Sequence, residues 1–101
     1  MEEKSRKIVI PDGVSAIRAF EYKNSDMEEI IIPSSVTIIE EGAFLGCNNL
    51  KRVVIPDSVT EMGKAAFKNC SSLKEVKISN SLSAIEDEAF SFCKDLKEII
   101  I

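Results

Sequence analysis

The 101-residue chain has no histidine, no tryptophan, four glycines and three prolines, and its basic residues do not outnumber its acids. Without imidazole there is no histidine general base, no histidine-dependent nucleophilic triad and no usual nitrogen ligand for zinc. The few glycines form no phosphate-cradling loop. Seventeen acidic against thirteen basic side chains give a formal charge of -4. Such a balance lacks the clustered positive field that phosphate backbones require, so no nucleic acid is expected as a partner. Apolar runs are only a few residues long, too short for a spanning helix, and no membrane insertion is expected. The opening Met1-Glu2-Glu3-Lys4-Ser5-Arg6-Lys7 holds no hydrophobic stretch of signal-peptide length, which reads as a cytoplasmic chain or a piece of a larger one.

What the chain does have is a period. Phe44, Phe67 and Phe90 stand 23 residues apart, as do Cys47, Cys70 and Cys93, and Leu50, Leu73 and Leu96. Pro33, Pro56 and Ser79 lead the three units at the same spacing. One unit of this length cannot bury its apolar face alone and must stack on its neighbours, so the period predicts a solenoid of about four turns. The first unit is irregular: Pro11 to Pro33 spans 22 residues. There Tyr22 holds the Phe offset, Ser25 the Cys offset, and Met27 stands for the Leu.

The triplets Ile8-Val9-Ile10, Ile30-Ile31-Ile32, Val53-Val54-Ile55, Val76-Lys77-Ile78 and Ile99-Ile100-Ile101 favour strands, giving a parallel five-stranded sheet on one face. Side chains alternate along a strand, so the outer two residues of each triplet face the core and the middle one faces out. Pro11, Pro33 and Pro56 end their strands because proline cannot donate to a continuing ladder. Val14, Val36, Val59 and Leu82 then turn into the core, followed by Ile17, Ile39, Met62 and Ile85. Opposite the sheet, the Ala-Phe pairs at 43–44, 66–67 and 89–90 are expected in short helical or 3-10 turns, with Glu40, Glu41, Glu86 and Asp87 at the start, where a helix dipole favours acids. The reading divides the chain into an N-terminal tail at 1–7, repeats at 8–29, 30–52, 53–75 and 76–98, and the start of a fifth at 99–101.

The stretch from Ile55 to Leu73, with its Pro56, Ser58-Val59-Thr60, Gly63, Ala66-Phe67, Cys70 and Leu73, resembles the BspA-type leucine-rich repeat. The resemblance runs from about Ile8 to Ile101. It implies a right-handed leucine-rich-repeat solenoid, mostly β, of a kind found largely on bacterial surfaces and serving adhesion and partner binding. It implies no catalytic residue and no cofactor.

Residue by residue, the carboxylates fall at variable repeat offsets and read as solvated surface. Three cysteines at one repeat offset are neither a disulfide nor a zinc spacing. Adjacent turns lie at about 4.7 to 4.9 Å, a separation that disulfides accept, yet parallel side chains in a buried column read as core packing. Function is expected at the outward strand positions, where Val9, Ile31, Val54, Lys77 and Ile100 form a mostly apolar stripe beside Arg52 and the acids that precede each strand. Such a stripe is either an interaction surface or the incidental result of good strand formers. Ile99, Ile100 and Ile101 form a bare hydrophobic edge, a candidate for self-association into a homodimer. The expected function is a non-enzymatic protein-protein interaction or adhesion module, with a structural spacer or self-associating fragment of a longer array as the alternative.

Overall fold

Residues 6–100 are described by a computed structural model. They wind into a solenoid of eight short strands: β1 (Lys7–Val9), β2 (Ala16–Ile17), β3 (Glu29–Ile31), β4 (Ile38–Ile39), β5 (Arg52–Val54), β6 (Glu61–Met62), β7 (Glu75–Lys77) and β8 (Glu98–Ile100). The strands sort into a five-stranded sheet in the order β1-β3-β5-β7-β8 and a three-stranded sheet β2-β4-β6, both parallel. Ile101 lies outside the described residues.

Each strand of the larger sheet begins one residue earlier than the apolar triplet, on Lys7, Glu29, Arg52, Glu75 or Glu98, and ends before the third triplet residue. That third residue still donates to the next coil in three cases: Ile10 to the Ile31 carbonyl at 3.1 Å, Ile55 to Lys77 at 2.9 Å and Ile78 to Ile100 at 2.7 Å. Beyond it a proline in coils one to three has no N–H with which to continue. The proline carbonyl instead closes a turn, accepting from Val14, Val36 and Val59 in the respective coils. In the fourth coil Ser79 takes the proline's place; its buried hydroxyl donates to the Val59 carbonyl at 2.7 Å and accepts from the Ser81 N–H at 3.0 Å. The alternation holds as expected: Ile30, Ile32, Val53, Ile55, Val76 and Ile78 are buried while Ile31, Val54 and Lys77 are exposed.

The far side departs from expectation. No helix or 3-10 turn is present among the described residues; the second sheet and a run of hydrogen-bonded turns stand there instead. In the second coil the N–H groups of Ala43, Leu45 and Cys47 turn back on Glu40, Gly42 and Phe44, whereas those of Gly42, Phe44 and Gly46 reach the carbonyls of Lys64, Ala66 and Lys68 at 2.8–2.9 Å. A helix needs every N–H for its own coil, and here alternate ones belong to the neighbour. The alternation places two residues per coil in the left-handed region, four positions apart: Phe20 and Asn24, Gly42 and Gly46, Ala65 and Asn69, Glu88 and Phe92, with φ between 56° and 77°. Glu40 therefore caps no helix dipole; its Oε1 accepts from the Ala19 N–H at 2.9 Å.

Between the sheets the repeated side chains form columns. Tyr22, Phe44, Phe67 and Phe90 stack face to face with centroids 5.5, 4.9 and 5.6 Å apart. Tyr22 thus does occupy the Phe offset, and Met27, fully buried, the Leu offset. Ile85 contradicts its expected place in the core: it is 53% exposed, although Ile17, Ile39 and Met62 at the same offset are buried. The second sheet stops at β6 and no complete described coil lies beyond the fourth, so no described residue covers Ile85 from that side.

Candidate interaction face

The outer face of the five-stranded sheet carries two columns of side chains. Strand alternation puts the first and third residues of each strand on this face. The first column is charged: Lys7, Glu29, Arg52, Glu75 and Glu98. The second is mostly apolar: Val9, Ile31, Val54, Lys77 and Ile100. Val9, Ile31, Val54 and Ile100 are 61%, 41%, 53% and 37% exposed, levels at which large apolar side chains meet water over much of their area. All the sequence-predicted face residues, Arg52 included, are thus brought onto one surface. The charged residues belong to the strands themselves, one per strand, where sequence reasoning had them just ahead of each strand.

Parallel register sets neighbours in the charged column side by side, Lys7 with Glu29, Glu29 with Arg52, Arg52 with Glu75 and Glu75 with Glu98. Only the last is a like-charge pair. The Arg52 guanidinium stands 4.0 Å from the Glu75 carboxylate, a long and exposed pairing that contributes little to stability. The apolar column thus runs along a rim of mixed charge.

A shallow depression of about 450 Å³ lies on this face between β3 and β5, lined by Glu29, Ile30, Ile31, Ile32, Arg52 and Val54. Nothing in the sequence signalled it, because the two strands carry the same kind of triplet as their neighbours. A second hollow of about 400 Å³ lies beside the smaller sheet, where Glu40, Glu41, Glu61 and Glu86 surround Gly63 and Lys64. Among the described residues no three acids or thiols converge as metal ligands.

The cysteines lie in the core. Cys47, Cys70 and Cys93 are free and buried, and each thiol donates to the carbonyl of an aromatic residue one coil earlier, at 3.1–3.2 Å. Hydrogen bonding with the Cys47 and Cys93 thiols, and burial, push the Cys70 thiol far above the ordinary range. On the surface nearby, Lys68 bonds Glu88 at 2.7 Å and holds that carboxyl below its usual range, with Lys64 adding to the effect.

Of the proposed edge, Ile99 is 44% exposed although Val76 and Val53 at its offset are buried, because β8 is the last described strand. Leu82, Phe90 and Leu96 are only partly covered for the same reason.

Two parallel sheets closed by stacked, repeating coils define a leucine-rich-repeat β-solenoid. The chain belongs to the BspA-type leucine-rich repeat family, whose model, a region of six copies, matches residues 2–101. Among solved structures, a leucine-rich repeat protein from Eubacterium ventriosum superposes with a TM-score of 0.76 at 22% identity, over 98% of this chain and 33% of that one. A leucine-rich repeat protein from Bacteroides ovatus is 26% identical, with a TM-score of 0.49 over 95% of this chain and 37% of its own. A leucine rich cell surface protein from Faecalibacterium prausnitzii is 16% identical, with a TM-score of 0.39 over 94% and 59% of the two chains. The chain thus spans about a third of the length of the Eubacterium ventriosum protein. No curated protein matches it.

Proposed function

We propose that the chain is a non-enzymatic protein-docking module and that the outer face of its five-stranded sheet is the docking surface, in the setting of adhesion that the family resemblance implies. The observation that carries this reading is the exposed column Val9, Ile31, Val54 and Ile100 beside the charged column. Apolar side chains gathered in one line and rimmed by charge mark interaction sites more often than apolar residues scattered singly. The test is binding of the chain to an array of purified cell-surface and matrix proteins, for wild type and for the Ile31→Glu/Val54→Glu double variant. Ligands retained by a folded double variant at wild-type strength would sink the proposal.

A second reading, a structural spacer that self-associates, is favoured by a different observation: the uncovered Ile85, Ile99 and half-covered Phe90 at the C-terminal end. In that case the end, and not the sheet face, is the sensitive surface, and β8 would pair with its copy in a homodimer.

A further inference from the structure

Between β3 and β5 the larger sheet is paired least. Their joint holds a single register pair, Glu29 with Arg52, whereas each of the other three joints holds three. A last rung closes those other joints, from Ile10 to Ile31, Ile55 to Lys77 and Ile78 to Ile100. The corresponding rung, from the Ile32 N–H to the Val54 carbonyl, is missing among the hydrogen bonds of the described residues. Ile32 is 8% exposed as a residue and borders the depression, and its N–H has no protein partner among the described residues. An N–H that no protein group satisfies must find its acceptor in whatever fills the hollow beside it.

The depression of about 450 Å³ lies over this gap. Ile30 and Ile32 direct their side chains into the core, so they contribute backbone to its floor. Ile31 and Val54 form apolar walls, and Glu29 and Arg52 stand at one end.

The chemistry of an occupant follows from the gap. A donor and an acceptor left on either side of an unmade rung are bridged by an atom that accepts on one side and donates on the other, which is what a hydroxyl oxygen does. A carboxylate suits the N–H but repels the carbonyl, and an ammonium does the reverse. An amide carries its donor and acceptor on separate atoms, pointing along one edge. Water bridges the backbone but leaves Ile31 and Val54 wet. Serine and threonine are too short to fill the hollow. An aromatic hydroxyl bridges the rung and covers the walls, and the Arg52 guanidinium at the rim can approach its ring.

We propose that the opening between β3 and β5 is the anchoring pocket of the sheet face, and that its occupant is a tyrosine side chain of a protein partner. The hydroxyl stands in for the missing rung and the ring lies between Ile31 and Val54. This rests on the reading of the face as a docking surface. Tyrosine is among the residues that most often anchor such interfaces.

Two measurements on the full chain test it. In amide hydrogen exchange, Ile32 should exchange at least about tenfold faster than Ile55 and Ile78, whose rungs are made; equal protection overturns the proposal. In an NMR titration, N-acetyl-tyrosinamide should shift the Ile32 and Val54 amides and bind about three- to tenfold more tightly than N-acetyl-phenylalaninamide, the margin of one hydrogen bond. Equal binding of the two, or no response to either, removes the tyrosine assignment. If that happens while the Ile31→Glu/Val54→Glu variant still loses an array ligand, the docking face stands and the anchor alone fails.

Discussion

The Cys70 thiol donates to the carbonyl of Phe44, one coil earlier, at 3.2 Å. The same bond joins Cys93 to Phe67 and Cys47 to Tyr22, so the thiol column is tied to the backbone beneath the first three rings of the aromatic column. Phe44 and Phe67 are fully buried and stack at 4.9 Å. Ring and thiol therefore hold the inner coils in register together.

Truncation of the aromatic column should be the costliest single change. Phe67→Ala removes a ring stacked on both sides and should destabilise by about 3 to 5 kcal/mol in urea unfolding, a large part of what a domain of this size possesses. Cys70→Ser should cost less, because its hydroxyl can keep the bond to Phe44. A wild-type midpoint for either variant would remove that column from the core.

The thiols should be slow to react. In native protein all three should resist an alkylating reagent until denaturant is added, with Cys93, at the uncovered end, labelled before Cys70. The Cys70 pKa is raised on folding, so the folded state retains a proton that the unfolded thiol gives up above about pH 8.5. That stabilisation is complete below this pH and declines as pH rises beyond it. Urea midpoints of wild type between pH 7 and 10 should fall less steeply than Cys70 alone would give, because the hydrogen bonds that raise its thiol lower those of Cys47 and Cys93.

On the sheet, neighbouring residues should differ sharply. Ile31→Glu and Val54→Glu place charge in water and should each change stability by no more than about 0.5 kcal/mol. Ile30→Glu and Val53→Glu, one residue away, bury an unpaired carboxylate and should fail to fold at neutral pH. Circular dichroism melts of the four variants decide it, and unfolding of the first pair would show that the face is not the exposed one.

The left-handed residues give a test of the far side. Gly42→Ala puts a methyl group into the Phe20 ring at a positive φ, and Gly46→Ala meets the Asn24 side chain, so both should lower the melting temperature. Ala65→Gly relieves the same backbone conformation and should be neutral to stabilising by about 1 kcal/mol. Destabilisation by Ala65→Gly would contradict the turn geometry of the third coil.

Self-association is checked by light scattering over a dilution series, with Ile100→Lys as the variant that blunts the β8 edge. A mass of one chain for wild type at tens of micromolar would dismiss association through this end.

Much of this was legible because stacking converts a sequence period directly into spatial columns. The Phe, Cys and Leu ladders, the inward and outward strand residues and the stand-ins Tyr22 and Met27 all follow from offsets alone. The far side was poorly legible, since the left-handed conformation is carried by glycine only in the second coil, at Gly42 and Gly46, and elsewhere by Asn24 and Asn69, a mild signal, and by Phe20, Ala65, Glu88 and Phe92, which announce nothing. Acids near Ala-Phe pairs then imitate a helix start. Ile85 was misplaced because periodicity assigns every coil the same surroundings, and an end coil lacks one neighbour. The opening between β3 and β5 depends on backbone fit and leaves no compositional trace.

The alternating turns also give the molecule a direction. In every coil the N–H groups that leave the turn point toward the following coil, from Phe20, Tyr22 and Asn24 to Glu41, Ala43 and Leu45, and again at each later step. Among the described residues this leaves the carbonyls of Ala19, Glu21 and Lys23 without donors at one end, and the N–H groups of Glu88, Phe90 and Phe92 without acceptors at the other. The turn side of the solenoid thus has a carbonyl pole and an amide pole, whereas elsewhere N–H groups such as those of Thr60, Gly63 and Lys74 donate back to the preceding coil. Amide poles opposed by two-fold symmetry set donors against donors, so a dimer of that kind can join its β8 strands but must leave these amides to water. Only a polypeptide arriving carbonyl-first satisfies these turn amides.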